Sequence, residues 1–404
     1  MPDIFTHRNP SVEPLALDGA LSGVRVVVQP NLAVRGWPCH AGSRALAGYT
    51  ALEDATVVDR LARAGALLIG SSHMGELGFG LAGDTSARAI ANGHADLALL
   101  TDTMGEARMA AAAAGLFGFK PSYGRVSRRG LTGLVPSMEC VGMVAADPAW
   151  IMGALAAVVG ADPNDPSMPD DCAAGWLAEP PVIQKACVAG VIQECMNSLT
   201  PVELKAFQAR LTRLAAVGVT FKSVSLRDYA LFRDAHQVIA AVEASSSAGK
   251  YDGVRYGHRC PDGKNWNEMY LNTRAEAFGP LIKTFLFQGA YFQFQNYPAF
   301  ENACRIRGRL VRTVTDLLGQ VDLLVTPTRR SAHDPLLAAT VEATYSAFEL
   351  TLPANLTGQP VLQVPDPTLD GADDPGLQLT GLRLDDARLL SIGLQLSSLV
   401  REGR

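Results

Sequence analysis

The residue types that could do chemistry are concentrated in one segment, TDTMGEAR, at residues 101–108. Its two carboxylates are Asp102 and Glu106. If the polar side chains before Glu106 form a pocket around it, burial and the neighbouring Asp102 charge would raise its pKa. A carboxyl group whose pKa lies near neutrality can act as a general acid or base, so Glu106 is a candidate catalytic residue. The candidate substrate-binding residues of this segment are Thr101, Asp102, Thr103 and Gly105.

Structural interpretations of the same residues stay open. Glu106 would only balance charge if Arg108, Arg125 or another cation lies beside it, since ion pairs also perturb carboxylates. The threonines and the aspartate would only shape a turn, for which their side chains are suited. His73 is the second candidate catalytic residue because imidazole titrates near neutral pH, although a lone histidine is more often a hydrogen-bonded structural residue.

The surrounding segments predict alternating strands and helices. Leu21–Pro30 is a short β-branched run typical of a buried strand. Asp54–Gly70 predicts an amphipathic helix followed by an apolar strand, and Pro201–Gly218 predicts another amphipathic helix. This rhythm indicates an α/β protein with a parallel or mixed sheet.

The stretch Ala95–Gly130 resembles the centre of the amidase signature family. The family's usual text contains GTDTGGSIR, GLKPT and GRVS, where this chain has LTDTMGEAR, GFKPS and GRVS. The likeness is closest to the A subunit of glutamyl-tRNA amidotransferase. It implies an α/β amidase-signature fold, with a mixed central β-sheet covered by helices, in a single amidase-like domain over residues 1–404. It also implies a less regular helical lobe over residues 162–320.

The resemblance further implies where the family keeps its Ser–Ser–Lys relay. Gln29 stands at the lysine, Ala82 falls by spacing at the middle serine, and Glu106 stands at the nucleophile. Glutamine cannot accept a proton near neutral pH, and a carboxylate opposes a growing oxyanion. Ser86 is the one nearby serine that could substitute, although it would more simply cap a helix over Ala87–Asn92. These degenerate positions predict that Ser–Lys amide hydrolysis is absent.

Two further candidate substrate-binding residues come from the resemblance. Tyr256 and Arg307 lie in stretches similar to the substrate-recognition region of the amidotransferase. An arginine there could bind a substrate carboxylate through two parallel hydrogen bonds. The alternative for Arg307 is a surface or interdomain salt bridge on an exposed helix face.

Composition narrows the classes of partner. The formal net charge is -5, so we expect neither nucleic acid nor a membrane surface as a partner. The 7 cysteines lack metal-ligand spacing, which predicts no metal site and reduced thiols in a cytoplasmic protein. No cofactor is expected.

Two functions remain open from the sequence. The first is a repurposed enzyme that uses Glu106 as acid or base on a small amide, imide or amino-acid-like compound. The second is an inactive homologue that binds a ligand or serves as a scaffold. The expected protein partner is a small subunit or a second copy of the chain.

Overall fold

A mixed sheet runs through the whole molecule. A computed structural model describes residues 3–170, 172, 187–330, 335–366 and 374–402, with side chains up to residue 398. The strands within these residues are β1 (Phe5–Arg8), β2 (Arg25–Val28), β3 (Leu67–Ser72), β4 (Leu97–Asp102), β5 (Phe117–Lys120), β6 (Cys140–Ala145), β7 (Val188–Ile192), β8 (Thr220–Val224), β9 (Leu323–Thr326), β10 (Val361–Val364) and β11 (Leu377–Thr380).

The described strands join in the order β1-β3-β2-β4-β6-β5-β10-β11-β9-β7-β8. β2 pairs in parallel with β3 and β4, and β7 pairs in parallel with β8 and β9. The other pairings are antiparallel. Parallel neighbours require crossover connections, which helices supply in this chain. The predicted mixed α/β sheet is confirmed.

Helices cover both faces of the sheet. Those described are α1 (Thr56–Arg63), α2 (Ser86–Ala91), α3 (Glu106–Ala113), α4 (Pro148–Val158), α5 (Gln193–Met196), α6 (Pro201–Ala216), α7 (Ala230–Ser247), α8 (Trp266–Ala277), α9 (Pro280–Phe294), α10 (Tyr297–Leu318), α11 (Val341–Phe348), α12 (Leu352–Thr357) and α13 (Asp386–Glu402). None of these helices has the length and apolar character needed to cross a membrane.

Alternating side chains of the central strands divide the core into two layers. In β4, Leu97 and Leu99 pack into one buried cluster, whereas Ala98 and Leu100 pack into the other. Such alternation is the strand period of two, here with both faces apolar because helices cover both. The wholly buried β4 therefore delivers the segment after Leu100 into the interior.

The segment predicted as a helical lobe, residues 162–320, is described at residues 162–170, 172 and 187–320. Among these residues, β7 and β8 lie in the central sheet and extend it. From α7 to α10 the segment is a layer of long helices. The first long helix of the segment, α6, begins where its sequence predicts, because Thr200 and Glu203 form a reciprocal capping box.

Candidate active site

The candidate site lies where β4 ends and α3 begins. Asp102 is the last residue of β4 and Glu106 the first residue of α3, so Thr103, Met104 and Gly105 form the connection. Gly105 has a φ of 128°. A Cβ atom at that position would overlap the side chain of Thr351, so only glycine fits this turn. The turn directs three consecutive backbone N–H groups toward the same point.

The carboxyl group of Glu106 occupies that point. Its Oε2 accepts hydrogen bonds from the N–H groups of Thr103 at 2.7 Å, Met104 at 2.8 Å and Gly105 at 3.1 Å. Its Oε1 is buried and has no hydrogen-bond partner among the described residues. The side chain as a whole is buried, with 1% of the residue exposed. We call these three N–H groups the backbone nest.

Burial and charge both act on the protonation of Glu106. Burial is the larger cause and Asp102 the second, and together they raise the pKa of Glu106 from 4.5 to about 7, against the opposing backbone hydrogen bonds. The carboxyl group is therefore divided between its protonated and ionised forms at neutral pH. This agrees in direction with the shift that the sequence suggested.

The nearest arginine does not pair with Glu106. Arg108 donates to both carboxylate oxygens of Asp102, through Nε at 3.1 Å and Nη2 at 2.9 Å. Asn355 donates to the same carboxylate at 2.9 Å, and both charged side chains are fully buried. Burial would raise the pKa of Asp102, but the positive charge of Arg108 beside it holds that pKa below its usual value.

The other arginine considered as a partner of Glu106 also binds elsewhere. Arg125 lies 3.2 Å from Asp386 and donates to the carbonyl oxygen of Cys172. The ion-pair interpretation of Glu106 with Arg108 or Arg125 was therefore wrong, because each guanidinium is held by a different aspartate. Asp102 is itself the residue held in a structural ion pair.

A histidine and a tyrosine that the sequence did not single out complete the site. His236 lies 3.0 Å from the carbonyl oxygen of Thr103 through Nε2 and 3.1 Å from the Tyr345 hydroxyl through Nδ1. Burial lowers the pKa of His236 to about 4, so the ring is neutral. Burial and the charge of Glu106 raise the pKa of Tyr345 far above its usual value. No motif marks these residues in the sequence, since both lie more than a hundred positions after the segment they contact.

Gln29 belongs to a second buried network next to the first. Its Oε1 accepts from the N–H of Thr101 at 2.9 Å and from its hydroxyl at 3.1 Å, and its Nε2 donates to Asp84 at 2.6 Å. Burial raises the pKa of Asp84 to about 6. Ser86 donates to Asp84 through its backbone N–H, and its hydroxyl lies 2.9 Å from that of Ser72. Gln29 thus carries an amide dipole where the resemblance implies a lysine.

Two details of this region differ from the sequence interpretation. Ala82 is exposed in a turn, so the position that spacing assigned to the middle serine does not lie in the buried network. Ser86 is the first residue of α2 rather than its cap, and its hydroxyl turns toward Asp84 and Ser72. The joining segment is short, and it directs Asp84 and Ser86 inward instead of Ala82.

His73 and Tyr256 contact groups other than the backbone nest. The N–H of His73 donates to the Thr85 hydroxyl at 2.9 Å, and its ring contributes to lowering the pKa of His40, for which burial is the larger cause. The ring of Tyr256 packs edge-on against Tyr49, with centroids 5.6 Å apart. Within the described part of the chain, no hydrogen bond joins either residue to Glu106.

Arg307 binds protein groups through all of its nitrogens. Nε donates to the carbonyl oxygen of Leu356, and Nη1 and Nη2 donate to the hydroxyl and carbonyl oxygens of Ser137, each at 2.8 Å. The guanidinium thereby ties α10 to the end of α12 and to the loop before β6. It is held in a fixed geometry close enough to His236 to oppose the charging of that ring.

Aromatic packing closes the site on one side. Phe79 stacks on Phe285 with centroids 4.3 Å apart, and both rings lie against Tyr345. Among the described residues no group of three or more histidine, cysteine or acidic side chains could hold a metal ion. What the arrangement offers chemically is a carboxyl group that titrates near pH 7 with one oxygen free to give or take a proton.

Known proteins resemble the chain over nearly its full length. The amidase family model matches residues 11–88 and 85–390. The A subunit of the glutamyl-tRNA(Gln) amidotransferase of Halobacterium salinarum is 32% identical, over 93% of this chain and 95% of that protein. The A subunit of the same enzyme from Symbiobacterium thermophilum is 33% identical, over 93% of this chain and 82% of that protein.

Solved structures agree in fold. The A subunit of the glutamyl-tRNA(Gln) amidotransferase from Thermotoga maritima superimposes with a TM-score of 0.75 at 23% identity, covering 96% of this chain and 85% of that one. A peptide amidase from Stenotrophomonas maltophilia gives a TM-score of 0.74 at 22% identity, over 95% of this chain and 84% of that one. These likenesses confirm the amidase-signature fold.

Proposed function

Because the chain belongs to the amidase family, we propose that it is a member without the serine acyl-enzyme route, in which Glu106 acts as acid or base on a small amide, imide or amino-acid-like compound. The observation that carries the proposal is that the two oxygens of the Glu106 carboxyl group differ in their hydrogen bonds. Oε2 is held by the backbone nest, whereas Oε1 is buried without a partner among the described residues.

The filled backbone nest supports the absence of acyl-enzyme chemistry. Hydrogen-bond donors that stabilise a tetrahedral oxyanion must be free to meet it. Here the three N–H groups already meet a carboxylate oxygen, and that group would place negative charge where an oxyanion would grow. Gln29 supports the same conclusion, because its amide is bonded to Thr101 and Asp84 and cannot take a proton near neutral pH.

The raised pKa of Glu106 supports a role as general acid or base. An acid or base is most effective when its pKa lies near the operating pH, and burial brings the pKa of Glu106 to about 7. A buried polar atom without a partner calls for an explanation such as a catalytic role or an unseen ligand. Oε1 is such an atom, and a substrate proton within hydrogen-bond reach of it would satisfy both its geometry and its pKa.

A second function has an observation of its own. Glu106 is almost wholly enclosed, and the aromatic group of Phe79, Phe285 and Tyr345 packs beside it. A carboxyl group that solvent does not reach suits a protein that no longer turns over substrate and serves as a ligand-binding or scaffold component of a complex. The relatives from Halobacterium salinarum and Symbiobacterium thermophilum are themselves called subunits, which is compatible with this role.

The experiment that separates these functions begins with three substrates and one probe. Glutamine, asparagine and simple aryl amides should release no ammonia or amine above background, and a fluorophosphonate should label no serine. Stoichiometric labelling of Ser72 or Ser86 would overturn the absence of a serine route. A thermal-shift screen of small amides, imides and amino acids at neutral pH then identifies ligands.

Each ligand found is incubated with the wild type, with Glu106→Gln and with the exposed control Glu53→Gln. The amide of Glu106→Gln is nearly isosteric but cannot exchange a proton, so turnover should be lost while binding stays within about threefold. The control should behave as the wild type. A ligand that binds all three proteins and is converted by none would instead support the binding or scaffold role.

A further inference from the structure

Helix α9 carries a row of exposed aromatic side chains that no part of the proposed function uses. The row consists of Phe287, Tyr291 and Phe294 on α9 and Tyr297 at the start of α10, and we call it the aromatic stripe. Their exposed fractions are 74%, 53%, 74% and 50%. Positions 287, 291 and 294 follow the helical i, i+4, i+7 spacing, so these three rings share one face.

The opposite face of α9 is firmly packed. Ile282, Phe285 and Leu286 are buried, and α9 lies along α7. Gly289 allows this close approach, since a Cβ atom there would overlap the backbone of Ala241. The stripe is therefore the outward face of a fixed helix, not a core face exposed by poor packing.

The segment that carries the stripe is uncharged. No charged residue occurs in the sequence from Thr284 to Phe300. The nearest one on α9, Lys283, donates to the carbonyl oxygen of Ala275. Monomeric proteins rarely expose contiguous apolar patches of this kind, and those that do commonly use them for association.

A groove beside the stripe offers room for a ring from a partner. It has a volume of about 500 Å³. Its lining residues are Gln237, Thr284, Phe287, Gln288, Tyr291 and Phe292. Aromatic rings and uncharged amides line it together, which is the composition expected at the centre of a protein interface rather than at its rim.

We propose that the aromatic stripe is a self-complementary interface between two copies of this chain. A two-fold axis near Tyr291 would run the two α9 helices antiparallel and bring Phe287 of one copy toward Phe294 of the other. Each such ring would then enter the groove of the other copy.

Area and charge both favour a second copy as the occupant. Taking about 200 Å² per aromatic side chain, the four exposed fractions amount to roughly 500 Å² of ring surface. That is more than half of the roughly 800 Å² that each partner buries in a standard interface. Because residues 284–300 carry no charge, two copies of this segment can pack together without electrostatic repulsion.

A lipid surface is the less favoured occupant. Helices that lie on membranes usually flank their apolar face with lysines and arginines, and here residues 284–300 carry none. The formal net charge of -5 would also repel anionic lipid. A helix of another protein is the remaining alternative, and it would leave this chain monomeric on its own.

The test is the solution mass of the full chain. Light scattering after gel filtration, over about 1 to 50 μM, should give twice 42.8 kDa for the wild type. Phe287→Asp should halve that mass by placing a charge in the interface. Leu52→Asp, at a position 80% exposed and outside the stripe, should leave it unchanged. A thermal melt verifies folding of each variant, and Phe294→Ser replaces Phe287→Asp if the latter is unfolded.

Crosslinking locates the axis. Tyr291→Cys in a Cys304→Ser background should form a disulfide-linked dimer under mild oxidation, and Cys304→Ser alone should not. A wild type that is monomeric throughout would overturn the proposal. A Phe287→Asp variant that stays dimeric would also overturn it. So would a monomeric wild type that co-floats with neutral phosphatidylcholine vesicles when Phe287→Asp does not.

Discussion

Replacing Glu106 by glutamine should change how stability depends on pH. The pKa of Glu106 rises on folding from 4.5 to about 7. A carboxyl group whose pKa is raised in the folded state contributes stability that is full below its unfolded pKa and is lost as pH rises through its folded pKa. The wild type should therefore lose stability through this group between about pH 4.5 and pH 7, and the glutamine variant should not.

The magnitude follows from the size of the shift. At 1.36 kcal/mol per pKa unit, the free energy of unfolding that Glu106 contributes falls by about 3 kcal/mol over the full window. Between pH 5 and pH 8 the change is about 2.5 kcal/mol, because part of the loss has occurred by pH 5. The glutamine side chain brings its own costs, chiefly an amide nitrogen without acceptors, but these are the same at both pH values and cancel.

The assay compares thermal midpoints of the two proteins at pH 5 and pH 8. With an unfolding entropy near 2.1 cal/mol/K per residue, the difference in midpoint should move by about 3 °C in favour of Glu106→Gln at the higher pH. Titration of Asp84 occurs in both proteins and does not enter the difference. Glu53→Gln, at a carboxylate that is 66% exposed and outside the site, is the matched control for the same chemical change. A Glu106→Gln difference that does not change between pH 5 and pH 8 would refute the raised pKa.

Three further substitutions test the surroundings of Glu106. Arg108→Met should cost about 3–5 kcal/mol in denaturant unfolding because it leaves Asp102 buried without its cation. Arg8→Met, in an exposed pair, should cost far less, and equal costs would contradict the structural role of the buried pair. The pKa of His236 is lowered to about 4, so the stability that this neutral ring contributes is present above pH 6.5 and is lost as pH falls toward 4. Between pH 7 and pH 5 the free energy of unfolding of His236→Gln should therefore fall by about 2 kcal/mol less than that of the wild type. An equal fall in both proteins would contradict the lowered pKa. Gly105→Ala should cost at least about 2 kcal/mol because it combines a positive φ with overlap on Thr351, and a neutral effect in the same unfolding assay would show that the turn can relax.

The sequence predicted the fold because its signals are local or shared with the family. Apolar runs such as Leu21–Pro30 and Asp54–Gly70 contain β2, α1 and the first four residues of β3, and the capping residues of α6 fix its start. The lobe was harder to predict, since short strands such as β7 are recognised by the neighbours they pair with, and those neighbours are distant in sequence.

The contacts of the candidate site could not be predicted from the sequence. Glu106 and Asp102 could be singled out as candidates, since both lie in one motif. Their partners come from far along the chain: His236 binds Thr103 across 133 positions, and Asn355 binds Asp102 across 253. The backbone nest depends on the direction of three N–H groups, which the residue types alone do not specify.

The proton on Glu106 can be observed directly by infrared difference spectroscopy. Spectra of the wild type minus Glu106→Gln, recorded from about pH 5 to pH 9, isolate the carbonyl stretch of the protonated carboxyl group. The account predicts one such band, present at low pH and lost with a midpoint near pH 7. A Glu106 that is already ionised at pH 5, with no band to lose, would contradict its role as an acid or base in this site.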